Sequence, residues 1–551
     1  MLTTIDVVII LVSMAFVVGV GVVAGRKRGD TAHGYFLGGN RMPWWLIGTA
    51  FVATGISSEQ MIGTVGITYD YGMGIANWEW FGLPAYTLVL LFFIPVYLRN
   101  KVATVPGFLA DRFGPAVGTA YSCLLLFLYV FVYMAMVLYA GSLAFSHAVF
   151  GPEVVWWQTL VVLLVIAVGV GLYTIHGGLT SVMWADLFQC ILLMAGGITL
   201  FLVALHQIPG GWSAMVEGAK AAGQPERMHL YQSPGHPMAP FLGMLIAVFG
   251  AFTFYQVGNQ AMIQRMLAAR STWDALMGLI LAQAINFLRP LVTCFLGLVV
   301  WHWIHVMHQA PEMATQLAKN KDLAFTFALG QDFVPTGVRG VVLAGLIAAV
   351  MATLSGLVNS TSTLFSSDIY KKFIHREATD REMVRIGRTA SFVALCVAAC
   401  ISPIVGELGG VFKFFQNALT YIACPFMATV LMGILWKRVN YAAGMFGLVG
   451  GFFIEVALGV IFSGQFEKSL GIPHLHFFYI GGIGEVIIII GMVIVTLATS
   501  PPDPAKISRF IWHPQLLRAY DEGVPRPWYQ QVKLWYGVVA LIWFYLYWRF
   551  W

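Results

Sequence analysis

The chain has 551 residues, of which 59% are apolar and 10% charged, with a formal net charge of +6 and a mean hydropathy of +0.78. Water-soluble domains carry about 25% charged and about 45–50% apolar residues, so this composition excludes a soluble enzyme, a nucleic-acid binder and a disordered scaffold. What remains is a polytopic membrane protein.

Windows of about 20 mostly apolar residues, the length that crosses a bilayer, recur along the whole sequence. Fourteen spans are predicted, at 5–25, 43–66, 73–98, 116–150, 155–176, 179–206, 239–262, 273–306, 337–366, 389–405, 410–436, 440–464, 477–499 and 534–550. Span 1 is followed by Arg26, Lys27 and Arg28 and lacks a small-residue cleavage site, so it reads as a retained helix rather than a signal peptide. Span 2 carries Gly55, Ser57, Ser58, Glu59 and Gln60 near its middle, and span 7 carries Tyr255, Gln256, Gly258, Asn259 and Gln260. A carboxylate at that depth costs roughly 2.5–3.5 kcal/mol on insertion scales and must face protein or a water-filled cavity. Both spans therefore read as broken helices whose freed carbonyls and half-helix ends bind ions and solute, the alternative being Gly-softened helices packed through small residues. The charge-rich stretch 368–388 reads as a short amphipathic connector lying on the anionic leaflet.

If the N-terminus lies outside, cytoplasmic connectors hold 22 Lys and Arg and outer connectors 5, so the expected topology is N-out and C-out. Trp44, Trp45, Trp156, Trp157, Trp543 and Trp548 crowd span ends, as interfacial anchors do. All six cysteines fall in apolar stretches, which gives no basis for an extracellular disulfide framework. Neither a GxxxxGK[ST] phosphate loop nor a GxSxG elbow is present. His302, His305 and His308 share a helix face but have no carboxylate or cysteine beside them, which makes a poor metal set. The chain is not expected to be an enzyme.

Spans 2–6 (43–206) and 7–11 (239–436) form two sets of five that start on opposite sides of the membrane, the topology an inverted repeat requires. Residues 1–42 would add a first helix and linker, and 437–551 three further helices. The expected fold is an all-α polytopic membrane protein with an inverted five-helix repeat.

YFLGGNRMPWW (35–45), ISSEQMIG (56–63), NWEW around Glu79, HGGLTSVMWADLFQ (176–189), GNQAMIQR (258–265), NSTSTLFSSDIY (359–370) and ILWKRVN (434–440) occur in order along these spans. Together they resemble the sodium/solute symporter family, and within it the sodium-glucose cotransporter branch. The resemblance implies a leucine-transporter-like fold and a carrier with no cofactor beyond Na⁺ as coupling ion. Its partners would be a small-molecule solute, Na⁺ and the lipid bilayer of the plasma (inner) membrane, with no nucleic acid. It also carries over a solute site. Gln60, Glu79 and Gln416 match groups that hydrogen-bond sugar hydroxyls, and Tyr255 matches an inner-gate tyrosine under the ring. Asn286 stands where sugar carriers have lysine, Phe252 where they have asparagine and Gly82 where they have serine. For the ion, the resemblance implies carbonyls of Ala53, Ile56 and Ala349, the hydroxyl of Thr353, and Asp186 drawing Na⁺ toward them. Position 352 usually adds a hydroxyl and here is Ala352. The function expected is Na⁺-coupled import of a sugar or polyol by alternating access. Proton coupling, or carriage of an amino acid, vitamin or carboxylate on the same fold, stays open; a membrane sensor fits less well.

Overall fold

The computed structural model describes residues 2–26, 31–151, 154–405, 411–464, 471, 473–521 and 524–551. Among them the structure is helical throughout, with one isolated bridge between Met42 and Ala269 and no strand. This is the outcome that a lipid environment dictates, because a helix satisfies its own backbone polar groups where no water can.

Each predicted window carries helix, but not every window is one uninterrupted rod. Among the described residues nine helices are long and apolar enough to cross a membrane, and ten with the bent pair Phe241–Val257 and Gln260–Leu267, which turns by 58°. Spans 5 and 6 are the two arms of one run, Trp156–His206, kinked at Gly178, whose φ is +62°. A Cβ there would approach the Tyr35 carbonyl oxygen to 2.4 Å, so the left-handed kink and the close approach both demand glycine. Span 2 breaks after Trp44–Thr54, and span 8 divides into Thr272–Asn286, Arg289–Thr293 and Phe295–His305. Span 14 is the helix Val532–Phe550.

Span 9 is the central element. It runs as Val338–Ile374, and every residue from 342 to 364 is buried. It packs along both Trp156–His206 and the first helix, Thr4–Gly25. Thr3 caps that first helix, and the buried Asp6 carboxylate accepts from the Gly337 and Gly340 amides at 2.9 Å each. A carboxylate is favourable at a helix N-terminus, and here it fastens span 1 to the start of span 9.

The expected connector 368–388 is corrected by the structure. The span 9 helix continues to Ile374 and the next begins at Asp380, leaving a turn of a few residues. An i,i+4 pair, Lys372 to Asp368 at 2.7 Å, braces the last turns of the first helix, and the hydrogen bond from Tyr370 to Glu382 at 2.5 Å ties the two helix ends together. Charge on one face of a helix looks like a loop in composition, and the Lys–Asp spacing is the signal that it is helical.

Candidate ion and solute sites

The break in span 2 begins at Gly55, which caps the helix Trp44–Thr54, and passes through Ile56 and Ser57 before helix resumes toward Tyr71. Backbone groups freed in this way need partners. Thr353 of span 9 supplies one: its Oγ1 lies 3.1 Å from the Thr54 carbonyl oxygen and 3.3 Å from that of Ile56. Ala53, Ile56, Ala349, Ala352 and Thr353 are all buried at this seam. The carbonyl nearest the Thr353 hydroxyl therefore belongs to Thr54, one residue beyond Ala53.

Asp186 lies just behind the seam, fully buried, in an ion pair with Arg265. Its Oδ2 accepts from Arg265 Nη2 at 2.8 Å and Nε at 3.1 Å, and from the Thr54 hydroxyl at 3.4 Å, while Oδ1 is buried without a partner. Arg265 also donates to the Ala261 carbonyl of its own helix. The pair links span 6 to the second half of broken span 7 directly behind the seam.

On the other side of the break, Gln60, Glu79, Tyr255, Asn286 and Gln416 line a single cavity of about 70 Å³. Five spans besides span 2 contribute to it, so residues far apart in sequence meet there. One wall is aromatic. Phe252 lies with its ring centroid 5.9 Å from that of Trp78 and 5.5 Å from that of Phe478. At Gly82 a Cβ would fall 2.8 Å from Gln283 Oε1, which leaves no room for a serine there without a shift of Gln283.

The residue at the centre of this cavity wall was not anticipated. Arg289 is 8% exposed and pairs with Glu79 Oε2 at 3.0 Å. It also donates to the Gly55 carbonyl at 2.8 Å, Gln60 Oε1 at 2.7 Å and Asn286 Oδ1 at 3.2 Å. Glu79 Oε1 accepts from the Thr293 hydroxyl at 3.4 Å. Reading 273–306 as one rod hides Arg289. The helix pauses at Phe287 and Leu288, and Pro290 sits in the first turn of the short helix that follows. An arginine followed by proline inside an apolar span was the available signal, since an intramembrane charge needs a partner.

Two further features bound the cavity. Tyr255 donates to or accepts from the Tyr133 hydroxyl at 2.7 Å. Below it, Tyr129 donates to Asn259 Oδ1 at 2.5 Å and Tyr121 to the Gly258 carbonyl at 2.8 Å. Residues 121, 129 and 133 share one face of span 4, so a tyrosine ladder closes over the span 7 break. Opposite it, a vestibule of about 840 Å³ opens toward the connectors around Pro234 and Lys321 and reaches Ser58 and Glu59. Consecutive residues Glu59 and Gln60 thus face different spaces, and the unwound part of span 2 is the partition.

Comparisons with known proteins agree with this architecture. A family model described as the sodium:solute symporter family matches residues 35–451. A sodium/glucose cotransporter of Vibrio parahaemolyticus is 32% identical over 81% of this chain and 84% of its own length. A sodium/myo-inositol cotransporter 2 of Oryctolagus cuniculus is 26% identical over 92% and 78%. The solved structure of a Na⁺-coupled sialic acid symporter superposes with a TM-score of 0.76 at 21% identity, covering 91% of this chain and 99% of that one, and so shares the fold. This integral membrane protein belongs to the sodium:solute symporter family, whose members are transporters and not enzymes.

Proposed function

We propose that the chain imports a small polyhydroxylated solute, a sugar or polyol, together with Na⁺ across the plasma membrane by alternating access. The observation that carries this reading is that one broken segment serves both sites. The carbonyl of Ile56 meets Thr353, while its neighbour Gly55 and, four residues on, Gln60 reach Arg289 at the cavity. A hard cation needs several neutral oxygens at short range, and unwound carbonyls with a hydroxyl supply them without burying a second charge. In this reading Ala53, Ile56, Ala349 and Thr353 surround Na⁺, and the Asp186 oxygen left free by Arg265 attracts it. Ordering the break around Na⁺ orders Gln60, so solute binds better, and linkage makes the enhancement mutual.

Gln60, Glu79, Asn286 and Gln416 answer hydroxyls, each of which would cost about 1–3 kcal/mol if buried unpaired. The aromatic wall takes the apolar face of a ring. Tyr255 and the ladder beneath it form the inner gate, and the inverted repeat of 43–206 and 239–436 supplies the rocking units. A tenfold ion gradient provides about 1.4 kcal/mol and 100 mV about 2.3 kcal/mol per charge, enough together for accumulation on the order of several-hundred-fold. The names of the relatives, carriers of glucose and myo-inositol, support the polyhydroxylated class.

Uptake into proteoliposomes with and without an inward Na⁺ gradient, across hexoses, inositol and amino acids, tests the reading. Na⁺-driven accumulation of a hexose-like or inositol-like solute is expected. Accumulation of amino acids alone would overturn the solute class. Ala352 favours one second reading: with a hydroxyl missing from the seam, a proton gradient in Na⁺-free buffer would drive the same uptake, and that result would replace Na⁺ by H⁺.

A further inference from the structure

Around Arg289 the hydrogen-bond inventory of the solute cavity is lopsided. A guanidinium donates and never accepts. Gln60 must therefore turn Oε1, and Asn286 Oδ1, toward it, which fixes both amide orientations without ambiguity. Glu79 Oε2 and the Gly55 carbonyl are occupied by the same group. The acceptors around Arg289 are thus largely taken by the guanidinium. What is left on these residues is N–H, while across the cavity the side-chain oxygen of Gln256 is buried without a partner among the described residues. Among the described residues Gln60 Nε2 makes no hydrogen bond, Asn286 Nδ2 has only a long contact of 3.5 Å to the Tyr86 hydroxyl, and Arg289 Nε is buried without a partner. A buried guanidinium N–H without an acceptor costs more than a neutral one, so this is a place where an acceptor is wanted.

Charge points the same way. Glu79 and Arg289 cancel each other in the empty cavity, and they are the charged residues lining it among those described. Na⁺ at the neighbouring seam then adds a positive charge beside the cavity in a medium that screens poorly, with the Glu59 carboxylate on the vestibule side of the partition.

We infer that the solute is a polyhydroxylated monocarboxylate, such as a hexuronate or an aldonate, and that Arg289 is the specificity-determining residue that reads its carboxylate through Nε, assisted by the free N–H groups of Gln60 and Asn286. This rests on the Na⁺-coupled, polyhydroxylated reading above and narrows it. The apolar face of the solute packs on the aromatic wall, and its hydroxyls take Gln416 and what remains of Glu79. The solute carboxylate offsets the cation at the seam, so each lowers the cost of burying the other. That mutual neutralisation is a direct electrostatic source of coupling and makes one-to-one transport electroneutral.

The test is competition and direct uptake in proteoliposomes of the full chain, comparing glucose with glucuronate and with gluconate, and myo-inositol as the ring without a carboxylate, at pH 7 and a fixed Na⁺ gradient. The carboxylates are expected to half-saturate at least tenfold below the neutral solutes, and an imposed inside-negative potential is expected to leave their uptake rate unchanged. In Arg289→Gln the preference ratio should fall at least tenfold, and Arg289→Lys, which keeps the charge and loses the fork, should retain part of it. The wild-type panel decides the matter even if both variants fail to insert. Na⁺-driven uptake of glucose or inositol that equals or exceeds that of the carboxylates overturns this inference and leaves the proposed function standing. Absence of Na⁺-dependent uptake for all four solutes overturns both.

Discussion

Between spans 2 and 9 the contact consists of main-chain carbonyls and one hydroxyl, Thr353 against Thr54 and Ile56, with alanines around them and the Asp186–Arg265 pair just behind, reached by the Thr54 hydroxyl. A few residues further along span 2 the cavity is built in the opposite way, from the long side chains of six spans and a buried ion pair, Glu79 with Arg289. The seam can open and close at small cost because its polar groups are dipoles that a cation or a hydroxyl satisfies equally. The cavity cannot tolerate the loss of a partner, since either member of its ion pair alone is an uncompensated charge. A carrier needs both properties, a yielding contact for the ion and an exacting one for the solute, and here they share a single unwound segment.

The comparison breaks most sharply at the charges. Replacing Glu79 by Gln leaves Arg289 buried with one neutral amide in place of a carboxylate, and breaking a buried pair from one side costs on the order of 3–5 kcal/mol. The variant should unfold in detergent at a clearly lower temperature than the parent. The double variant Glu79→Gln with Arg289→Gln should recover most of that loss while remaining inactive. If the single variant is as stable as the parent, the pair does not hold the cavity together.

Gln60→Ala is the next largest effect and is functional rather than structural. It removes one acceptor of Arg289 and a solute contact while leaving the Gly55 bond in place. Uptake should fall below detection with membrane insertion and melting temperature close to those of the parent. Unchanged transport kinetics would detach Gln60 from the solute site.

At the seam the expected changes are smaller. Thr353→Ala deletes one hydroxyl among several oxygens, worth about 1–1.5 kcal/mol, so the Na⁺ concentration for half-maximal uptake should rise roughly tenfold. Thr353→Ser, which keeps the oxygen, should stay within about threefold of the parent. Equal behaviour of the Ala and Ser variants would mean that the hydroxyl acts only in packing spans 2 and 9.

These two regions were also unequally legible in the sequence. Thr353, one of many hydroxyl residues on span 9, was reached by resemblance, whereas the break in span 2 comes from a local signal, a glycine followed by hydroxyls near its middle, visible within one window. The second broken helix was visible for the same reason, with Gly258 and Asn259 where the chain bends. The cavity needed six spans to converge, so its residues were reached by resemblance and not by spacing. Arg289 escaped altogether, because the relatives directed attention to Asn286, one helical turn earlier, where they carry lysine. Only the coordinates show that a cation stands one turn away and takes the oxygen of that asparagine. The helical continuation of span 9 to Ile374 was hidden by its charge, which composition assigns to a connector and i,i+4 pairing assigns to a helix.

The smallest effect sharpens the comparison in the other direction, by adding to the seam instead of removing from it. Ala352 is fully buried beside Thr353, and its carbonyl accepts from the Ser355 hydroxyl at 3.0 Å. Ala352→Ser introduces a single heavy atom. If Na⁺ binds between Ile56 and Thr353, the new oxygen joins its shell and the half-saturating Na⁺ concentration should fall about three- to tenfold, with little change in solute affinity at saturating Na⁺. If no cation binds there, the added hydroxyl meets only buried alanines and carbonyls, and overpacking of about 1–3 kcal/mol appears as a lower melting temperature with no shift in Na⁺ dependence. The two outcomes move different observables in one protein, so Na⁺ titration of uptake and thermal unfolding of Ala352→Ser together decide whether the yielding contact is the ion site.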